Sequence, residues 1–437
     1  MNEEIDFEEL APWLVGFLTI AGYILRVLLL GMKGMWLDET FSVWLASHSV
    51  ADMLQWIVRV DQHPPLYYWL LHNWIGIFGA TPYYARLLSV FFGAATVPIV
   101  YLIGKRMSGV ALGLAAAIFL ALSPFNIYFA QETRMYTLLA FNAAVAMYAL
   151  VRLLTDPRTA RPIGSQFREY LRAWRTAEPL VPEKKDDLIY QELIRNKTGW
   201  RGWIARHRWS PIQTVETDLA WVGLVVFTVA TLLTHNTAVF FLAAANLFVL
   251  SLMLYQRKRK SGAQPAFEAP SIGNWVKAQV AILILWSSWI PSFIRQAGTV
   301  DRRFLVPAPP RGTVIPGLQT FLDASRPLPA PPALVIWILY LLVLGLGVVY
   351  FRKKISQFLF LAVLFATPLL GELLVSIQRP IFLGRTLIWI TIPLFLVLGA
   401  GIAQLKFRFV MIAVAGNRRH GQLFSAREYY PVSPEED

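Results

Sequence analysis

Residues 36–71 read WLDETFSVWLASHSVADMLQWIVRVDQHPPLYYWLL. The acidic pair Asp38-Glu39 comes directly after a long apolar run, and Asp61-Gln62-His63-Pro64-Pro65 stands just before the next one. Two acidic positions, a histidine and a rigid Pro-Pro therefore share one loop between apolar runs. A helical membrane span needs about 20 predominantly apolar residues, and on that ruler the chain holds about ten runs. They lie near 12–32, 83–104, 109–124, 135–154, 219–234, 237–255, 275–293, 332–350, 356–376 and 386–405. The expected fold is an all-α polytopic membrane protein, with a loop carrying an amphipathic helix after the first span.

Composition agrees. The chain of 437 residues is 56% hydrophobic and only 15% charged, where a soluble domain carries about 25% charged residues. Its 16 Trp and 16 Tyr suit membrane interfaces. With no cysteine, disulfides and thiolate metal sites are excluded. The first run follows the acidic segment Glu3, Glu4, Asp6, Glu8, Glu9 and lacks a small-residue cleavage site, so it reads as a retained span rather than a signal peptide. Arg26, near its end, is expected to snorkel outward.

The formal charge of +13 does not point to nucleic acid. Many basic residues sit in clusters at the ends of apolar runs, which is an orientation signal. Lys105-Arg106, Arg257 to Lys260, Arg352 to Lys354, and Lys406 with Arg408 all fall on one side of a ten-span topology, together with the arginine-rich segment 155–217. That side is assigned to the cytoplasm. The loop 33–82, the turns near 125–134, 234–236 and 377–385, and the Pro-rich loop 294–331 then face outward. The outer loop 294–331 carries Arg295, Arg302, Arg303, Arg311 and Arg326, against the charge rule but suited to an anionic ligand. Three regions follow: 1–140 with the outer loop 33–82, 141–255 with the inner insertion 155–217, and 256–437 with the outer loop 294–331 and an inner tail.

Within the loop 33–82, Ser49-Val50-Ala51-Asp52 forms a capping box. Met53, Leu54, Ile57 and Val58 recur at helical spacing, as in a helix lying in the membrane interface. Pro64-Pro65 ends it, and Tyr67-Tyr68-Trp69 is expected to form an aromatic belt. A second amphipathic helix is expected near 165–176.

Taken singly, each ionisable residue has a plain reading: a carboxylate at a boundary is commonly a solvated anchor or a helix cap, and Glu132-Arg134 a local ion pair worth little. Taken together, Asp38, Glu39, Asp61, His63, Glu132, Arg134, His235, Arg379 and Arg385 all fall on the outer side. Acids beside arginines at a membrane surface suit removal of a proton and retention of an anion. Ionisable groups within the spans are sparse, which disfavours a transporter or lipid flippase. A non-catalytic scaffold is the third reading.

The run WLDETFSVWLAS…DQHPPLYYWLLHNWIGIFGATPYYARLLSVFFGAATVPIVYLIGKRMSG, followed by LSPFNIYFAQETRMYTLL, resembles the N-terminal module of the GT-C glycosyltransferases. These use polyprenyl-phosphate sugars and include the protein O-mannosyltransferases and the lipid A aminoarabinose transferase. The likeness is greatest to the bacterial family 39 (RgtA/B/C/D-like) branch. It covers 33–140, resumes at Leu233-Thr234-His235-Asn236, and returns at IQRPIFLGRTLIWITIPLFLVLGAGI. The resemblance implies an inverting glycosyltransferase of the bacterial inner membrane with its active site outside, and it makes 1–140 the N-terminal catalytic module. Asp38 matches the general base, Glu39 its motif partner, and Asp61 with His63 the second motif of the loop. His63, Glu132, Arg134, His235, Arg302, Arg303, Arg379 and Arg385 are the expected donor-phosphate and substrate contacts. The aminoarabinose transferase has lysine where this chain has His63, and relatives often have Arg-Tyr where it has Arg385-Thr386. Implied partners are a polyprenyl-phosphate sugar, membrane lipids, and a glycan, lipid or protein acceptor. No metal ligands and no cofactor are assigned, and carboxylates and histidine leave a divalent metal open.

Overall fold

The protein is described by a computed structural model covering residues 7–60, 63–176, 215–258, 266–299, 319–322, 332–377 and 381–405. Among these the regular elements are helices. Those of the N-terminal half are α1 (Phe7–Val27), α2 (Leu37–Ala46), α3 (Val50–Arg59), α4 (Leu66–Phe78), α5 (Pro82–Ser108), α6 (Val110–Leu122), α7 (Pro124–Ala130) and α8 (Tyr136–Thr155). There follow α9 (Ser165–Thr176), α10 (Glu216–Leu232), α11 (Val239–Lys258), α12 (Ile272–Trp286) and α13 (Ile290–Thr299). The last are α14 (Pro332–Phe351), α15 (Ile355–Ser376) and α16 (Thr391–Gln404). Tight 3-10 turns at Asn236–Ala238 and Gly384–Ile390 precede α11 and α16.

Among the described residues, seven helices are long and apolar enough to cross a membrane, or nine if each of two bent pairs is one span. The bent pairs are α6–α7, turning by 54°, and α12 with the start of α13, turning by 74°. The remaining expected run, 219–234, is α10 with 17 residues, about 25 Å of rise. α8 and the segment ending in α16 are buried along most of their length, whereas α1 and α14 are mostly exposed. The core is α5, α6, α8 and α16, with α1 and α14 packed around it. Small residues allow the closest crossings. A Cβ on Gly113 would strike α5 backbone at Tyr101 and Lys105, and one on Gly401 would strike the Val343 carbonyl of α14.

Arg26 does not snorkel. Its side chain is fully buried and turns inward to cap the end of α6. Nη1 donates to Ala121 O (3.1 Å) and to Gly22 O (2.9 Å), and Nη2 donates to Leu120 O (3.0 Å). The chain bends at Ser123-Pro124, where proline removes a backbone donor, so the last carbonyls of α6 need a partner. A cation is the favourable one at a helix C-terminus. On the far side of the bend, Gln131 Nε2 donates to Arg26 O (3.1 Å) and Leu28 O (2.9 Å). These bonds fix where the turn 131–135 emerges from the helix bundle.

The loop 33–82 holds three helices, α2, α3 and α4, rather than one. The capping box at α3 is present: Ser49 Oγ accepts from Asp52 N (3.2 Å) and donates to Asp52 Oδ2 (2.7 Å). Met53 and Ile57 are buried while Leu54 and Trp56 are exposed. The expected aromatic belt is divided. Tyr67 and Tyr68 are buried and only Trp69 is exposed, because α4 lies on α5 rather than along the surface.

Polar contacts gather at the opposite end of α8, about 30 Å away along its axis. Arg106 Nε donates to Thr155 Oγ1 (2.8 Å), and Lys354 Nζ to Ser108 Oγ (2.9 Å). Asp156 accepts from Thr217 Oγ1 (2.7 Å) there, and Asp218 accepts from the backbone N–H groups of Gly164 and Phe167 near the start of α9. The clusters around Lys105-Arg106 and Arg352 to Lys354 thus share one end of the molecule, away from the loop 33–82.

Candidate active site

Asp38 and Glu39 lie in the first turn of α2, where a helix N-terminus favours negative charge. Adjacent helical side chains diverge by roughly 100°, and these two have opposite surroundings. Glu39 points inward and is buried. Arg86 of α5 grips it with two bonds, Nε to Oε1 (2.8 Å) and Nη2 to Oε2 (2.7 Å), and the Thr133 backbone N–H donates to Oε1 (2.8 Å). Arg86 also donates to Leu30 O (2.8 Å), Lys33 O (2.9 Å) and Gly34 O (2.9 Å). One buried ion pair therefore joins α2, α5, the turn after α1 and the turn 131–135. Leu29, in that first turn, has left-handed backbone at φ 61°, a strained conformation for a branched residue.

Asp38 points the other way and is partly open, with Oδ2 3.7 Å from Arg385 Nη1. Arg385 belongs to the 3-10 turn Gly384–Ile390. Its guanidinium lies 5.6 Å from the Trp36 ring centroid and 5.7 Å from that of Tyr136. Aromatic faces hold a guanidinium by cation–π attraction and leave its N–H groups available to an anion. Arg134 reaches α2 from the turn 131–135, with Nη1 donating to Ser42 Oγ (3.1 Å) and Asp38 O (3.3 Å). Its backbone N–H donates to the Glu132 carbonyl (2.8 Å), and its charge acts on the Glu132 carboxyl.

Glu132 is buried, and its Oε2 makes no hydrogen bond. Burial, with Glu39 nearby, pushes its carboxyl up to about 7; Arg385 and Arg134 oppose this, and Asp38 adds to it. A carboxyl so placed changes charge near neutral pH. Lys33 is a cation that sequence reasoning missed. Its ammonium lies 5.8 Å from the Tyr128 ring centroid. Burial and Arg86 lower its pKa, while Glu132 and Glu39 raise it. Arg86 was missed as well. Both sit among apolar residues and carry no motif, although an arginine one turn into a spanning helix demands a partner.

His63 and His235 meet, with ring centroids 5.2 Å apart, brought together where the start of α4 joins the end of α10 through Leu66 N to Leu233 O (3.0 Å). His235 Nδ1 accepts from Thr237 N (3.2 Å), so in the neutral ring the proton resides on Nε2. The other expected site residues, Asp61, Arg302, Arg303 and Arg379, lie outside the described residues. Among the described residues, no group of three His, Asp or Glu side chains could hold a metal ion. One neighbourhood thus assembles an open carboxylate, a stacked guanidinium, a second arginine, a lysine and a buried acid that titrates near neutrality. It can accept a proton and hold an anion side by side.

Residues 62–164 match the family model of the dolichyl-phosphate-mannose-protein mannosyltransferases. No curated protein matches the chain. Among solved structures, the chain is similar to ArnT from Cupriavidus metallidurans in the apo state, with a TM-score of 0.50 and 14% identity over 95% of this chain and 63% of that one. The same protein bound to undecaprenyl phosphate gives a TM-score of 0.47 at 14% identity, with coverage of 95% and 63%. The Archaeoglobus fulgidus oligosaccharyltransferase, tethered to an acceptor peptide, gives 0.44 at 11% identity, covering 96% of this chain and 54% of that one. The chain therefore spans about 63% of the length of the ArnT structures it resembles.

Proposed function

We propose that this chain, which has the GT-C fold and a mannosyltransferase-type segment at 62–164, is an inverting membrane glycosyltransferase. The donor is a sugar on a polyprenyl phosphate, presented from the bilayer. The acceptor is a hydroxyl of a cell-envelope glycan, lipid or protein at the outer face of the bacterial inner membrane. The observation that carries this reading is the Asp38 carboxylate beside the Arg385 guanidinium, 3.7 Å apart at the edge of the helical bundle.

In this reading Asp38 accepts the proton of the acceptor hydroxyl as its oxygen bonds to the anomeric carbon. The glycosidic C–O bond to phosphate breaks on the opposite face, and the electron pair leaves with the lipid phosphate. Arg385, Arg134 and Lys33 hold that charge. A carboxylate that is ionised at neutral pH suits a proton released late, in the transition state. Arginine suits the phosphate because its planar fork can bind two oxygens. Glu39 keeps α2 in place through Arg86. His63 and His235 line the approach from α4, with Asp61 beside them in sequence, and Arg302, Arg303 and Arg379 are proposed as further contacts to the anionic donor.

The test is turnover by purified protein in detergent or nanodiscs. Undecaprenyl-phosphate sugars are supplied with lipid and glycan acceptors, and release of lipid phosphate is followed with formation of a glycoside of inverted configuration. Movement of lipid-linked sugar across sealed vesicles, without glycoside formation, would overturn the proposal in favour of a flippase.

A further inference from the structure

The buried Glu372 has no part in that scheme. It lies in the last turns of α15, fully shielded from solvent, in a helix otherwise apolar along its spanning stretch. An acid is costly in such a place, and it is retained where its hydrogen bonds matter.

Its surroundings are three elements that converge at the candidate site. Thr386, the residue after Arg385, places its hydroxyl 2.8 Å from Glu372 Oε2 and 2.7 Å from Leu383 O. Thr237, in the turn after His235, lies near the same carboxyl, whose Oε1 makes no hydrogen bond, and its hydroxyl lies 2.9 Å from His235 Nδ1. One turn further along α15, Ser376 Oγ accepts from the backbone N–H groups of Phe382 (2.8 Å) and Ile381 (3.2 Å). The segment that carries Arg385 is thus fastened to α15 at two points. Only the Glu372 point also adjoins the turn that carries His235.

The geometry points to Glu372 as a positioning residue: its carboxyl, through the Thr386 hydroxyl, sets the place of the Arg385 turn on α15 beside the His235 turn. The stacking of Arg385 between Trp36 and Tyr136 does not fix the turn alone, since rings constrain a guanidinium loosely along their faces. The bond at Thr386 fixes the backbone one residue away. Arg385 then meets Asp38 and any anion at a set distance. A displacement of about 1 Å at such a contact is enough to weaken a phosphate bond severely.

The consequence for ligand binding rests on the proposed function, so two readouts are needed. The first is free of any ligand. The chain has no cysteine, and a Cβ at Gly384 meets no atom closer than 3.8 Å, so Gly384→Cys adds a probe within the turn. Glu372→Ala should raise its maleimide labelling rate several-fold. Glu372→Gln, which keeps an acceptor oxygen, should leave the rate near that of the parent. Should Glu372→Ala fail to fold, Thr386→Val removes the same bond from the other side and should also speed labelling. Unchanged labelling in the folded variants overturns the clamp.

The second readout is affinity for undecaprenyl phosphate as the probe. Glu372→Ala should weaken it about 10-fold in the parent but less than about 2-fold in an Arg385→Ala background, because the two act as one unit. An equal loss in both backgrounds means that Glu372 does not act through Arg385 and overturns the assignment. Faster labelling with no affinity of the parent for the lipid phosphate leaves the clamp standing and refutes the glycosyltransferase reading instead.

Discussion

Asp38 and Glu39 are chemically near-identical neighbours whose surroundings give them different work. Asp38→Asn keeps the shape and removes the base, so turnover should fall about 10²–10⁴-fold with donor affinity nearly intact. Near-normal turnover of the folded variant would falsify the assignment. Arg385→Ala should weaken donor binding roughly 10- to 150-fold, the worth of one charge-assisted bond, and Arg385→Lys should restore only part of it. Equilibrium binding of the lipid phosphate measures both. Glu132 adds a pH dependence. Its folded pKa, raised to about 7 from the ordinary 4.5, means that the folded protein holds a proton the unfolded chain has lost. The contribution of Glu132 to stability should therefore be fully present below pH 4.5, fall as pH rises from there through about 7, and level off above. The full span is about 3 kcal/mol. Thermal unfolding in detergent between pH 5 and pH 8 should show this slope, and Glu132→Gln should flatten it.

At the scale of elements, the placement of α2 depends on the Glu39–Arg86 pair. Removing one partner of a buried, fully bonded pair leaves an uncompensated charge and costs about 3–5 kcal/mol. Glu39→Ala should therefore lower both melting temperature and turnover, whereas Asp38→Asn lowers turnover alone. An unchanged melting temperature for Glu39→Ala would show that α2 is held by its apolar side instead. The helix crossings make a second case. Gly401→Ala pushes a methyl into the Val343 carbonyl of α14, and backbone yields less readily than side chain. The expected loss is at least the 1–3 kcal/mol typical of overpacking, read as a lowered melting temperature. Gly16→Ala, where a Cβ meets nothing within 4 Å, is the matched control.

At the scale of the molecule, the three helices of the 33–82 loop and the 3-10 turn at 384–390 form one end, and the clusters around Lys105-Arg106 and Arg352 to Lys354 form the other. We expect that first end to face outward. Single cysteines test this in intact cells with a membrane-impermeant maleimide: Val60→Cys should label and Arg257→Cys should not. Both positions are exposed, so equal labelling would count against the topology and not against access. The two bent helix pairs also belong to this scale. The 54° bend at Ser123-Pro124 lets the chain leave the bundle as α7 and return through the turn 131–135, which carries Glu132 and Arg134 to α2.

The sequence by itself determined the fold class, because twenty-residue apolar runs can satisfy their backbone in a bilayer only as helices. It also determined the caps and local helices, such as the Ser49–Asp52 box and the helix near 165–176, since these depend on neighbours within a turn. The likeness of 33–140 to a known module pointed to Asp38, and that of the run beginning at Ile377 pointed to Arg385. What those residues touch was decided only by tertiary structure. Arg86 stands 47 positions from Glu39, Arg26 stands 95 positions from Ala121, and Glu372 meets Thr386 across a turn. Pairing over such separations is set by how helices cross, and no local pattern encodes it. For the same reason an arginine expected at the lipid surface proved to be a helix cap, and two of three aromatics expected at an interface proved to be core. A side chain's type says which partners it needs. Where the helices bring those partners is what separates an anchor, a brace and a base.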